Sequence, residues 1–298
     1  MSDLSVLYDA PGPRAKVRNW LYTALFVAVF GLVLWWVLSA MADKDQLTAD
    51  KWRPFVDDSR VWTTYLLPGL VETLKAAALS IVIALPLGAV LGIGRLSDHR
   101  WVSVPAGAVV EFFRSIPVLL MMVFANQLYA QNTDLDPEIR PLYAVVTGLV
   151  LYNASVIAEI VRAGILSLPL GQSDAAKAIG MRKWQIMCFV LLPQAVTAML
   201  PALVSQLVVI VKDTALGGAM LGFGELLNQH REITANYGAN TIATFTVIAV
   251  IFILLNLLLT TFASWLEGFI RRGKKSTGAV VHAGATEDLG FEEPLGKR

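Results

Sequence analysis

Arg114 stands within a largely apolar run, with Glu111 one helical turn before it and Pro117 three residues after it. An ionisable side chain at bilayer depth is costly and marks a functional position by default. A guanidinium cannot be discharged, and its planar fork matches a carboxylate. Arg114 therefore either takes a carboxylate-bearing solute or pairs with Glu111 on the same helix face. Ser115 adds a hydroxyl beside it. Pro117 strips residue 113 of its helical partner and should break or kink the helix at mid-depth. Such a break is tolerated only where backbone lines a cavity or is packed in protein.

A second run carries Asn153 and Glu159. Six residues apart, they fall within ~120° of one another around a helix. Glu159 either accepts a solute ammonium group or pairs with Arg162; Asn153 is either a ligand contact or a hydrogen bond between packed helices. Lys212, Asp213 and Thr214 close a third run. Lys212 either holds an anion or snorkels to the interface, with Asp213 and Thr214 ordering the turn. The three histidines are scattered and the single cysteine, Cys188, lies in an apolar run, so the sequence proposes no metal centre. Nor does any cluster of His, Asp or Ser converge as a membrane enzyme would need. The chemistry on offer is binding and passage, not bond making.

The elements that must hold these groups are membrane helices. The chain is 56% hydrophobic and 16% charged, and its net charge of +1 gives no global field for nucleic acid. Six continuous apolar runs, about 20–41, 76–93, 104–130, 142–165, 186–211 and 243–270, are long enough to cross ~30 Å of hydrocarbon. None alternates with period two, which excludes a transmembrane barrel. The expectation is an all-α polytopic membrane protein of about six transmembrane helices. Residues 1–19 form a basic arm, and the first run is too long for a cleaved signal. With six spans, thirteen Lys and Arg in the N-terminal arm, two loops and the flank 271–275 share one side against eight on the other, which places the termini in the cytoplasm. Residues 42–68 then form an external loop with Trp52, Trp62 and Tyr65 near the interface, and 273–298 a disordered cytoplasmic tail. Gly88 and Gly92 permit close helix contact.

One polar stretch interrupts this pattern, QSDAAKAIGMRKWQ at 172–185. Ser173 can cap a helix, Asp174 favours its dipole, and Gly180 suits a left-handed exit. Ala175, Ala176 and Ile179 make a small apolar face, which either lies on the bilayer or fits a groove on another protein.

Asp174-Ala175-Ala176, then Gly180, then Val190-Leu191-Leu192-Pro193, resembles the EAA motif of ABC-importer permeases, with Asp174 in place of the usual Glu. The sequences around Ala158–Ile165, Lys212-Asp213-Thr214 and Phe113-Arg114-Ser115-Ile116-Pro117 resemble the polar amino acid permeases of the histidine/glutamine/glutamate type. Ser115 and Ile116 stand where that family commonly has Gly and Thr; Ser115 stands in for part of the lost hydroxyl. Among these, the chain most resembles actinobacterial glutamate-importer permeases.

The resemblance covers roughly 69–272 and implies a type I importer permease fold. Residues 172–185 become a coupling helix, on which Asp174, Ala175, Ala176, Lys177, Gly180 and Met181 dock a cytoplasmic ATPase. It places Asn153 and Glu159 toward the transport pocket. It further implies a second permease subunit, identical or homologous, an extracytoplasmic substrate-binding protein, an amino acid substrate and a bacterial plasma membrane. No Gly-x4-Gly-Lys-[Ser/Thr] loop occurs. This chain is thus expected to bind no cofactor and to catalyse no covalent step, with ATP and Mg on the ATPase. The competing expectation is a secondary transporter driven by an ion gradient.

Overall fold

The computed structural model describes residues 12–272, and the expectation for 273–298 lies outside them. These residues form twelve α-helices and no strand. They are α1 (Pro13–Ala42), α2 (Ala49–Trp52), α3 (Pro54–Asp57), α4 (Leu67–Arg95), α5 (Arg100–Ser115), α6 (Val118–Asn132), α7 (Arg140–Leu166), α8 (Leu170–Ala178), α9 (Lys183–Gln185), α10 (Leu192–Leu221), α11 (Gln229–Asn236) and α12 (Thr241–Arg272). Five helical stretches are long and apolar enough to span a membrane. A sixth candidate is the pair α5 and α6, bent by 98°.

Proline positions account for most of the irregularities. Pro117 forces the preceding Ile116 into extended backbone (φ −94°, ψ 130°), so α5 ends and α6 starts afresh. The expected break in the third run is present, but it is a sharp elbow between two helices, not a kink in one. One π-helical turn, Val61–Leu66, leads into α4, and a second, Ile186–Leu191, leads into α10. In each, a wide hydrogen bond from the residue just before a proline (Leu67 N–H to Trp62 O, Leu192 N–H to Met187 O) skips one carbonyl. Pro68 and Pro193 cannot donate, and their rings would collide with the carbonyl four residues back. The wider turn relieves both problems.

The chain divides into two compact units, with boundaries inside α4, after α10 and inside α12. The larger comprises Leu74–Leu221 and residues from Phe252 on. Within it α7 packs against α5, α6 and α10, and 67% of its apolar window is buried, the largest share of any span. Contact is close enough to require glycine. A methyl group on Gly148 would lie 2.5 Å from Met122 Cγ and 2.9 Å from its backbone nitrogen. The pair Gly88 and Gly92 lets α4 meet α7 at the carbonyls of Ala154 and Ala158. Ala84, Ala154, Ile157, Val161, Ile165, Ala195 and Met199 form one buried cluster across α4, α7 and α10.

The smaller unit comprises residues up to Thr73 together with Gly222–Ile251. Its α1 buries no residue within the chain. The segment expected to be an external loop is folded. Trp62 Nε1 donates to Phe55 O at 2.8 Å, Tyr237 Oη to Asp58 Oδ2 at 2.7 Å, and Asn236 Nδ2 to Tyr65 Oη at 3.1 Å. Lys51 donates to the Gly238 carbonyl. Polar side chains here found partners that a hydropathy profile cannot display.

Glu225 organises the approach to α11. It is fully buried and accepts from the N–H groups of Leu227 (2.7 Å) and Asn228 (2.8 Å). The neighbouring Leu226 N–H donates to Thr73 Oγ1 at 3.1 Å. Burial pushes the carboxyl from 4.5 up to about 7, opposed in part by those donors. The folded state therefore binds more protons than the unfolded state between about 4.5 and 7, and stability falls as pH rises through that window. The melting temperature of the detergent-purified protein should be higher at pH 5 than at pH 8, and Glu225→Gln should flatten this dependence. An unchanged slope in that variant contradicts the assignment.

Candidate functional site

Five charged side chains meet where α4, α5 and α7 converge. Arg95, the last residue of α4, contacts Glu159 directly and Glu111 at 3.2 Å. Arg114 lies 3.3 Å from Glu111 and 3.8 Å from Glu159, and Arg162 lies 3.8 Å from Glu159. The alternatives left open by the sequence, Arg114 with Glu111 and Glu159 with Arg162, are therefore both realised as pairs. Arg95 carries no signal in the sequence beyond its positive charge at the end of an apolar run. Its side chain is the most enclosed of the five, at 15% exposure against 22% for Glu159 and 40–54% for the others.

Three guanidinium groups face two carboxylates, so the cluster carries one surplus positive charge. Its position also corrects an expectation. Arg95 terminates α4, and Glu159 lies seven residues from the end of α7, roughly 10 Å at 1.5 Å per residue. Arg114 sits near helix ends, not at the middle of a continuous span. The Ser115 hydroxyl donates to Glu111 O at 2.6 Å, so its proton is committed to its own helix.

The other sequence candidates lie elsewhere. Asn153 is fully buried; its Nδ2 donates to Leu149 O at 2.7 Å and its Oδ1 accepts from Gln206 Nε2 at 2.5 Å. The bond to Gln206 links α7 to α10. Gln206 had no signal in the sequence beyond being a polar residue in an apolar run. Lys212, Asp213 and Thr214 do not end a helix. α10 continues to Leu221, leaving Lys212 roughly 13 Å inside its end. Thr214 Oγ1 donates back to Val211 O at 2.7 Å, which satisfies the hydroxyl without a turn. Among the described residues no ion pair joins Lys212 to the Arg114 cluster.

The 172–185 stretch is two helices, not one. α8 begins at Leu170 after Pro169, so Ser173 lies inside it and is not its cap. Gly180 adopts φ +81°, and the Gly180 N–H reaches Lys177 O (2.9 Å) while the Met181 N–H reaches Ala176 O (3.1 Å). This is a Schellman ending, with glycine in the left-handed position. Ala176 is buried against the chain, whereas Ala175, Ile179 and Leu170 are exposed. The expected apolar face is thus split: Ala176 anchors the helix and the others remain presented. Asp174 pairs with Lys177 at 3.1 Å.

An all-helical membrane protein with a broken span and a short presented helix between two long ones is the class that fold and site define. Residues 84–272 match the model of the binding-protein-dependent transport system inner membrane component family. The chain belongs to this family, that of the permease components of ABC transporters. It is 44% identical over 252 residues to the glutamate transport system permease protein GluD of Corynebacterium glutamicum, covering 85% of this chain and 91% of that one. It is 41% identical over 158 residues to the glutamate/aspartate import permease protein GltK of Escherichia coli, covering 51% and 70%. Among solved structures, an amino acid ABC transporter crystallised with histidines superposes with a TM-score of 0.63 at 28% identity, covering 71% of this chain and 95% of that chain. Nothing in these comparisons favours transport driven by an ion gradient.

Because Arg95 and Glu159 share a partly enclosed contact, their loss should not be additive. In a cycle of Arg95→Met, Glu159→Gln and the double variant, thermal unfolding in detergent should give a coupling of about 0.5–3 kcal/mol. Strictly additive losses would contradict the pairing.

Proposed function

We propose that this permease subunit carries an acidic amino acid, with glutamate favoured, across the bacterial plasma membrane into the cell. The observation that carries the reading is the surplus guanidinium charge at the α5–α6 elbow. An amino acid substrate brings an α-carboxylate, and a second carboxylate on its side chain strengthens the attraction to Arg114 and its neighbours. The names of the relatives, a glutamate permease and a glutamate/aspartate permease, point the same way. The distribution of Lys and Arg supports both termini in the cytoplasm, which puts α8 on that side.

In this mechanism two permease subunits, identical or homologous, flank the path. An extracytoplasmic binding protein delivers the solute, and two ATPase chains holding ATP and Mg dock on the exposed side of α8. Their closure displaces α8, and α5, α7 and α10 shift to expose the Arg114 region to each side in turn. Arg95, Glu111 and Glu159 hold Arg114 in place while the site is empty. An arriving carboxylate competes with Glu111 and Glu159 for the same guanidinium. This chain itself transfers no group and breaks no bond.

In vesicles holding the assembled complex, radiolabelled glutamate uptake should be suppressed by excess aspartate more strongly than by glutamine or histidine. Arg114→Ala should abolish uptake while membrane insertion and ATPase assembly persist. Normal uptake in that variant would refute the pocket assignment.

A further inference from the structure

The docking segment and the charged cluster are connected at one place. Lys183, at the start of α9, forms an ion pair with Asp98 and donates to the Leu96 carbonyl at 3.0 Å. Leu96 directly follows Arg95, the residue most deeply engaged in the cluster. Elsewhere α8 and the 96–99 turn face each other across a cavity of about 340 Å³ lined by Asp98, Ser173, Lys177, Met181 and Lys183. Force applied to α8 and α9 therefore has a direct route into that turn through the Lys183 side chain.

Stability does not explain this contact. Both side chains are more than half exposed, and exposed pairs contribute little. A lysine in the first turn of a helix also opposes the helix dipole, so its place there is unfavourable locally. The hydrogen bond from Lys183 holds the Asp98 carboxyl below its usual range.

We propose that Lys183 is a positioning residue that delivers displacement of the ATPase-docking segment to the 96–99 turn, and through Arg95 to the Arg95–Glu159–Arg114 cluster. The inference rests on the importer reading above. Motion of α9 pulls on Asp98 and the Leu96 carbonyl, the end of α4 follows, and Arg95 changes its contact with Glu159.

The complex, purified with its ATPase subunits and reconstituted in proteoliposomes with its binding protein, is assayed for ATP hydrolysed per radiolabelled glutamate imported. Lys183→Met should raise that ratio at least about fivefold with the ATPase fully retained. Lys183→Arg should restore it, and Asp98→Asn added to Lys183→Met should raise it no further. A wild-type ratio in Lys183→Met overturns the proposal, as does an additive double variant. Loss of the ATPase from the Lys183→Met complex would assign the residue to docking and also overturn it. If the wild-type chain retains no ATPase, the importer reading falls first and takes this inference with it.

Discussion

Glu159 is a carboxylate on the most buried helix of the fold, and its charge must be met from neighbouring elements. A half-enclosed carboxylate is tolerable when paired and strongly destabilising when left alone. Arg95 meets it from the end of α4, Arg114 from the end of α5 and Arg162 from the next turn of α7. This one requirement draws three helices to a common point. Pro117 is what ends α5, and that ending leaves Arg114 in the last turn before the elbow, within reach of Glu159. The surplus positive charge that remains after the pairing is what an anionic solute would find.

Glycine and proline placement makes that convergence compatible with a membrane fold. Gly88, Gly92 and Gly148 let α4 and α6 approach α7 to distances no larger side chain permits. Pro117 divides one apolar run into two helices, while Pro68 and Pro193 set wide turns at the entrances to α4 and α10. Helices joined at a few irregular points suit rigid-body motion between two states.

Much of this was legible in the sequence. Span locations followed from apolar length, the break at Pro117 from proline stereochemistry, and the left-handed Gly180 from its place after an alanine-rich turn. The pairs Arg114–Glu111 and Glu159–Arg162 are local, at i+3, and periodicity reveals them. What stayed hidden was tertiary. Arg95 looks like an ordinary positive residue at a helix end, and only packing turns it back toward Glu159. The Asn153–Gln206 bond joins residues more than fifty positions apart. The charged step at Lys212 and Asp213 mimicked a helix end because charge usually ends an apolar run, but Lys212 remains exposed and Thr214 bonds its own backbone, so α10 continues.

The most direct test of the account is the accessibility of the elbow beside Arg114 during the transport cycle. Ser115→Cys in a Cys188→Ser background would be exposed to a membrane-impermeant thiol reagent added on one side of oriented proteoliposomes. The account predicts that ATP and Mg, supplied with the ATPase and the loaded binding protein, switch the side from which the thiol is labelled. Labelling from the same side at the same rate, with and without ATP turnover, would contradict it.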